Sequence, residues 1–140
     1  ILHALAPDIR HGVGIDNNAK AINAANAIRS YNNAANLQFY TYDVTREPLV
    51  FLDEFTPHVY DVILALAIAL WVNTWEQIIT WSHPRDLIYE TNGNDAFQQE
   101  QVSCLHDTYA NVRQLTYESE DDIRPGRKTK FRRMYLCKSE

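Results

Sequence analysis

The segment Tyr60-Asp61-Val62-Ile63-Leu64-Ala65-Leu66 constrains this chain more than any other. Beyond Asp61 it is apolar without alternation. A strand with one wet face alternates apolar and polar residues, whereas a strand covered on both faces does not. The uninterrupted apolar run reaches from Val62 to Val72, too short to span a bilayer. The segment therefore predicts a strand inside a sheet with helices packed on both sides.

The flanking sequence supplies those helices and further strands. Residues 1–6 predict the end of a helix, stopped by Pro7-Asp8. Gly12 to Asp16 reads as a short strand, and Asn17-Asn18 can cap the helix after it. Ala19 to Tyr31 predicts that helix, with an inward face of Ala21, Ala24, Ala25, Ile28 and Tyr31 and with Asn32-Asn33 ending it. Leu37 to Tyr42 predicts a strand, and Thr45 to Phe55 a short helix or irregular turn closed by Thr56-Pro57. A helix from Trp71 to Trp81, interrupted before Pro84, leads to a strand over Asp86 to Glu90. After the turn Asn92-Gly93-Asn94 come a helix over Asp95 to Thr108, with Phe97, Val102 and Leu105 inward, and a strand over Asn111 to Tyr117. A charged loop from Glu118 to Gly126 precedes the last strand, Phe131 to Cys137. Strands separated by helices predict an α/β fold with a mainly parallel sheet.

Composition bounds the function classes. At 140 residues and 46% hydrophobic content, the chain suits one folded domain over 1–140. Thirteen basic against eighteen acidic residues give −5, which argues against a whole-domain nucleic-acid binder. Cys104 and Cys137 lack CxxC spacing, so a reduced, cytoplasmic protein is the simplest expectation, with one disulfide left open. The five histidines are scattered and form no zinc motif, so no metal is expected. No signal peptide or membrane span is expected. Seven basic residues gather at Arg124, Arg127, Lys128, Lys130, Arg132, Arg133 and Lys138. They suit either a polyanion such as RNA or charge pairing with Glu118, Glu120, Asp121 and Asp122.

Ligands of open α/β sheets bind beyond the carboxyl ends of the strands, which directs attention to the acids there. Asp16 can accept hydrogen bonds from both hydroxyls of a ribose, with Asn17 beside it; alternatively it caps the following helix. Asp43 can receive an adenine amino group, with Val44 against the ring, or serve as an N-cap before Thr45-Arg46-Glu47. The backbone beyond Leu64, with Ala65 and Leu66, can line a crevice floor. Glu90 is the best general-base or substrate-binding candidate, the alternative being a structural strand end. Trp71 and Asn73 can line an acceptor pocket, although Trp71 and Trp75, four apart, also suit packing together on a core face.

In combination these segments resemble the class I S-adenosylmethionine-dependent methyltransferases. Val13-Gly14-Ile15-Asp16 and its Ala-rich helix look like their second strand with the ribose-binding acid. Leu37 to Val44 resembles the third strand with its adenine-contacting acid, and Tyr60 to Leu66 the fourth. Asp86 to Gly93 is similar to the fifth, and Arg132 to Cys137 to the antiparallel terminal strand. The resemblance implies a Rossmann-like methyltransferase sheet, S-adenosyl-L-methionine as cofactor, Asp16, Asn17, Asp43, Val44, Leu64, Ala65 and Leu66 as its contacts, and an acceptor entering over Trp71, Asn73 and Glu90. The acceptor class stays open among RNA, a small molecule and a protein side chain. No N/D-P-P-Y/F/W motif follows the fourth strand, so DNA adenine methylation has no specific support.

The family opens with a strand and a GxGxG-type loop, and its strand order is 3-2-1-4-5-7-6. Neither the strand nor the loop precedes Ile1 here, so the expectation is an N-terminally truncated sheet with two exposed ladder edges. Completion by another polypeptide is an alternative. So is a non-catalytic, methyltransferase-like partner-binding subunit, and so is a nucleotide-cofactor oxidoreductase.

Overall fold

The computed structural model describes residues 1–54, 60–119 and 132–140, which form two compact units, Ile1–Glu47 and Pro48–Glu140. The residues Thr56-Pro57, the charged stretch 120–126 and the basic residues Arg124, Arg127, Lys128 and Lys130 lie outside the described residues.

In the first unit, α1 (Leu2–Leu5) leads to β1 (Gly12–Asp16), α2 (Ala19–Tyr31) and β2 (Leu37–Thr41). β1 and β2 pair in parallel, from Gly12 opposite Leu37 to Asp16 opposite Thr41. The glycines of β1 answer to packing. A Cβ on Gly14 would stand 2.6 Å from the Phe39 ring, so a side chain there displaces an aromatic group. The α2 face differs from the sequence expectation. Ile22 is its buried residue, while Ile28 is 48% and Tyr31 88% exposed. The inward side instead carries Asn26 and Arg29, which donate to the carbonyls of Phe39 and Leu37. Those carbonyls alternate with the ones facing β1, so they belong to the outer edge of β2. Polar helix side chains thus cover a strand edge, a use of an inward face that hydrophobic periodicity does not register.

The second unit begins with a 3₁₀ turn (Leu49–Glu54), followed by β3 (Val62–Leu66), α3 (Trp75–Ser82), β4 (Asp86–Glu90), α4 (Asp95–Thr108), β5 (Asn111–Ser119) and β6 (Arg132–Lys138). The sheet order is β3-β4-β6-β5, parallel between β3 and β4 and antiparallel at β4–β6 and β6–β5. β5 runs two residues past the expected Tyr117, taking Glu118 and Ser119 out of the predicted loop. If β1 to β6 are taken as the second to seventh strands of the resembled family, the units read 2-3 and 4-5-7-6. Each is a contiguous piece of the expected order.

Register explains the core. Ala65 stands opposite Tyr89 and both are buried, as is Leu87, so these residues share the covered face. Ile78 and Ile79 of α3 and Leu105 of α4 are buried, and the two helices pack on each other. Burying such a side chain contributes about 1.5–3 kcal/mol. The opposite face carries Val62, Leu64 and Leu66, of which Val62 is 47% exposed and the others half-buried. On the first face Ala65 is buried and Ile63 half-buried, so among the described residues the two-sided cover expected of this strand is fuller there than on the opposite face. β3 pairs with β4 alone, and β1 with β2 alone, so each has one edge that meets no strand among the described residues.

No helix among the described residues is long and apolar enough to cross a membrane. Both cysteines are free.

Candidate functional site

In the first unit the parallel register brings two acids to the same end of the β1–β2 pair. Asp16 closes β1 opposite Thr41, and Asp43 follows two residues later. The backbone N–H of buried Tyr42 donates to the Asp16 carbonyl at 3.0 Å, extending the ladder to this point. Asp16 is exposed, and its Oδ1 accepts the N–H of Asn18 at 2.7 Å. The cap of α2 is Asn18, whose Oδ1 accepts from Lys20 and Ala21. The carboxylate of Asp16 therefore shapes the strand–helix loop without capping the helix, and Asn17 sits exposed on that loop.

Asp43 is more committed. Its Oδ1 accepts the Thr45 hydroxyl at 2.6 Å and the Thr45 N–H at 3.0 Å, and its Oδ2 lies 3.4 Å from Nε of Arg46. The Thr45 hydroxyl, then the Thr45 N–H, hold its carboxyl below the ordinary value, and Arg46 adds to this. No α-helix starts there, so these bonds build a turn. Val44 beside it is half-buried.

In the second unit the corresponding end lies where Leu66 and Glu90 stand opposite each other. Following the parallel ladder, Val62, Leu64 and Leu66 turn their backbone groups to the edge of β3 away from β4. Glu90 is half-buried, with Oε2 3.6 Å from a guanidinium nitrogen of Arg132. Arg133 and Lys138 likewise meet Asp95 and Asp86, so the basic residues of β6 pair with acids on β4 and at the start of α4.

The helix expected from Trp71 begins only at Trp75, and this separates the two tryptophans. Trp75 is buried, edge-on to Phe97 at 5.8 Å, whereas Trp71 is 81% exposed in the preceding turn. They do not share a helical face, and the expected packing of Trp71 against Trp75 is replaced by that of Phe97. Asn73 is exposed as well.

Four residues that sequence patterning passed over organise this end of the unit. Thr91, Asn92, Gln98 and Gln101 are all buried. Gln101 accepts from the Tyr89 hydroxyl and the Asn92 N–H, and donates to the carbonyls of Asn92 and Phe97. Gln98 accepts from the Thr91 hydroxyl and donates to the Gly93 carbonyl. The inward face of α4 is therefore Gln98, Gln101 and Leu105, with Phe97 and Val102 half-buried at its margins. The available signal was that Gln98, Gln101 and Leu105 recur at helical spacing.

An open groove of about 640 Å³ lies over α4, β5 and β6, lined by residues including His106, Gln114 and Arg133. It contains none of the residues singled out from the sequence as cofactor or acceptor contacts.

No protein-family model matches the sequence, and no curated protein matches it. Solved structures do. EvdMO1 superposes with a TM-score of 0.64 at 11% identity, covering 89% of this chain and 30% of its own. WbdD gives 0.63 at 16%, covering 97% and 28%. The precorrin 8w decarboxylase of Methanobacterium thermoautotrophicum gives 0.60 at 15%, covering 95% and 72%. The chain thus spans less than a third of the first two structures. At these identities the likeness concerns the fold alone: the chain carries a partial, Rossmann-like α/β sheet similar to part of these structures.

Proposed function

We propose that this chain forms part of an S-adenosylmethionine-dependent methyltransferase. The observation that carries this reading is the strand order within each unit, together with Asp16 and Asp43 at the carboxyl end of the β1–β2 pair. In this reading Asp16 accepts the ribose hydroxyls, with Asn17 beside it. Asp43 and Val44 meet the adenine, and the backbone of Leu64, Ala65 and Leu66 borders the methionine moiety. S-adenosylmethionine supplies an activated sulfonium methyl. The protein's task is then chiefly to place the acceptor in line with it. Trp71, Asn73 and Glu90 receive the acceptor, and Glu90 orients or deprotonates it when the reaction requires.

The residues of this chain contain no glycine-rich loop of the kind that holds the methionine and ribose. We propose that a further polypeptide segment supplies it. The edges of β1 and β3 that meet no strand among the described residues support this. They equally support the reading of a non-catalytic subunit whose exposed edges bind a partner by strand addition.

Calorimetry decides among the readings. S-adenosylhomocysteine and NAD are titrated into these 140 residues and into the longest natural chain that contains them. The expected result is saturable heat with S-adenosylhomocysteine for the longer chain, lost in Asp16→Ala, and little or none for the shorter. Heat with NAD alone selects an oxidoreductase. Silence with both in the longer chain removes the methyltransferase reading and leaves the partner-binding one.

A further inference from the structure

Ala67 follows β3 with φ at 55°, a left-handed conformation that residues with a Cβ seldom adopt. Its surroundings explain how it is held. The N–H of Ala67 donates to the Glu90 carbonyl at 3.1 Å. Nδ2 of Asn92 donates to the Ala67 carbonyl, and Oδ1 of Asn92 accepts the N–H of Leu70 at 3.2 Å. One buried amide therefore spans both ends of the turn. Asn92 is itself fixed, because Gln101 takes its N–H at 3.3 Å and donates to its carbonyl at 2.8 Å.

The turn continues under equal restraint. The N–H groups of Trp71 and Val72 both reach the Ile68 carbonyl, and Ala69 and Val72 are buried. Yet Leu70 is 49% and Trp71 81% exposed. The backbone is pinned while its two largest apolar side chains stand in solvent. Backbone strain held in place by its surroundings, beside an exposed aromatic residue at a strand's carboxyl end, is the pattern of a preorganised ligand-facing turn.

We propose that Asn92 is a positioning residue whose side-chain amide locks Ala67 in its left-handed conformation and thereby fixes the direction in which Trp71 is presented. The assignment of this turn to the methyl acceptor rests on the methyltransferase reading; the lock itself does not. A glycine at position 67 adopts the same conformation without help, which provides a rescue that a merely stabilising role of Asn92 lacks.

The test uses the full chain labelled with 5-fluorotryptophan, with the Trp71 resonance assigned through Trp71→Phe, and amide exchange at Leu70 compared with Leu105 in the core of α4. In Asn92→Ala, Leu70 exchange accelerates by about tenfold or more beyond any change at Leu105, and the Trp71 resonance shifts and broadens. Asn92→Asp keeps an acceptor for Leu70 but loses the donor to Ala67, so Leu70 stays protected while the Trp71 resonance still moves. Adding Ala67→Gly to Asn92→Ala returns the Trp71 resonance toward its original position. Equal acceleration at Leu70 and Leu105, or no rescue by Ala67→Gly, overturns the proposal. Neither readout needs a ligand. A protein that shows the Asn92 dependence but never binds S-adenosylhomocysteine keeps the lock and loses the methyltransferase reading.

Discussion

The hydroxyl of Thr91 lies 2.6 Å from Oε1 of Gln98 and also accepts the N–H of Arg133 at 3.0 Å, so one buried oxygen joins β4, α4 and β6. A hydroxyl has a single proton. With the Arg133 carbonyl more distant at 3.2 Å, that proton belongs to Gln98. Thr91→Val keeps the shape but removes the buried acceptor of the Arg133 N–H and the hydroxyl donor to the Gln98 amide oxygen. It is expected to cost about 2–3 kcal/mol, read as a lower urea midpoint at unchanged slope. Thr91→Ser keeps the hydroxyl and most of the stability. A loss in Thr91→Ser greater than that in Thr91→Val would assign the effect to the methyl group instead.

Gln101 extends the argument to the helix face. Its four hydrogen bonds are all buried or partly so, and Gln101→Leu removes the partners of Tyr89 and of both backbone groups of Asn92. A loss of about 3–4 kcal/mol is expected, larger than for Thr91→Val. Gln101→Glu is also expected to destabilise, because an ionised carboxylate cannot donate to the Asn92 and Phe97 carbonyls. Thermal unfolding of the two variants beside the parent protein measures this.

These polar contacts mark the limit of what the sequence discloses. The strands and the long helices follow from local pattern: Asp95 to Thr108 is helical over the range its periodicity predicts, and Gly12 to Asp16 forms the expected strand. Pattern fails where polar side chains turn inward. Asn26 and Arg29 turn toward a strand edge, and Gln98 and Gln101 turn toward the end of β4, because hydrogen-bonding groups there need partners. It also fails at Trp71, which lies in a hydrogen-bonded turn before the next helix begins at Trp75. The acids at the strand ends are legible because topology alone assigns them to the ligand side of such a sheet. The Thr45 and Arg46 groups that occupy Asp43 depend on turn geometry, which a one-dimensional pattern does not carry.

Asn18 provides a local test in the first unit. Its side chain accepts two N–H groups of the first turn of α2. Asn18→Ala is expected to cost about 1 kcal/mol, and Asn18→Asp little. The loss appears as faster amide exchange across residues 19–31. Asp16→Asn retains an acceptor for the Asn18 N–H, so it leaves this exchange nearly unchanged. It can therefore be used in cofactor titrations without confusing a loop defect with a lost ligand.

The Asp43 carboxyl makes a prediction in acid. Its folded value lies below the ordinary 3.8 because it accepts from the Thr45 hydroxyl and N–H, with Arg46 nearby. A group depressed in this way stabilises the fold above its unfolded value, and the contribution disappears as pH falls through the folded value. Thr45→Val removes the strongest of these bonds, so the carboxyl then titrates closer to 3.8. Carbon-detected NMR of the Asp43 carboxyl measures the shift directly. A carboxyl that titrates identically in both proteins would contradict the assigned hydrogen bond.

The alkaline side is governed by Cys137, whose thiol is buried against β4 and β5 and pushed up to about 12. The unfolded thiol ionises near 9.0. Above that value the unfolded chain has released a proton that the folded one keeps, so stability falls with rising pH, at up to about 1.4 kcal/mol per pH unit for one group. Burial raises the Tyr89 and Tyr109 hydroxyls too, which adds to the decline at higher pH. Cys137→Ala is therefore expected to flatten the first part of the alkaline limb while lowering stability near neutrality through the cavity it leaves. The same burial controls reactivity, because the thiolate is the nucleophile. At pH 8 a thiol reagent should modify half-buried Cys104 slowly, and Cys137 only as fast as the second unit unfolds. Labelling resolved by peptide mass measures both rates; fast native-state modification of Cys137 would contradict its place in the core.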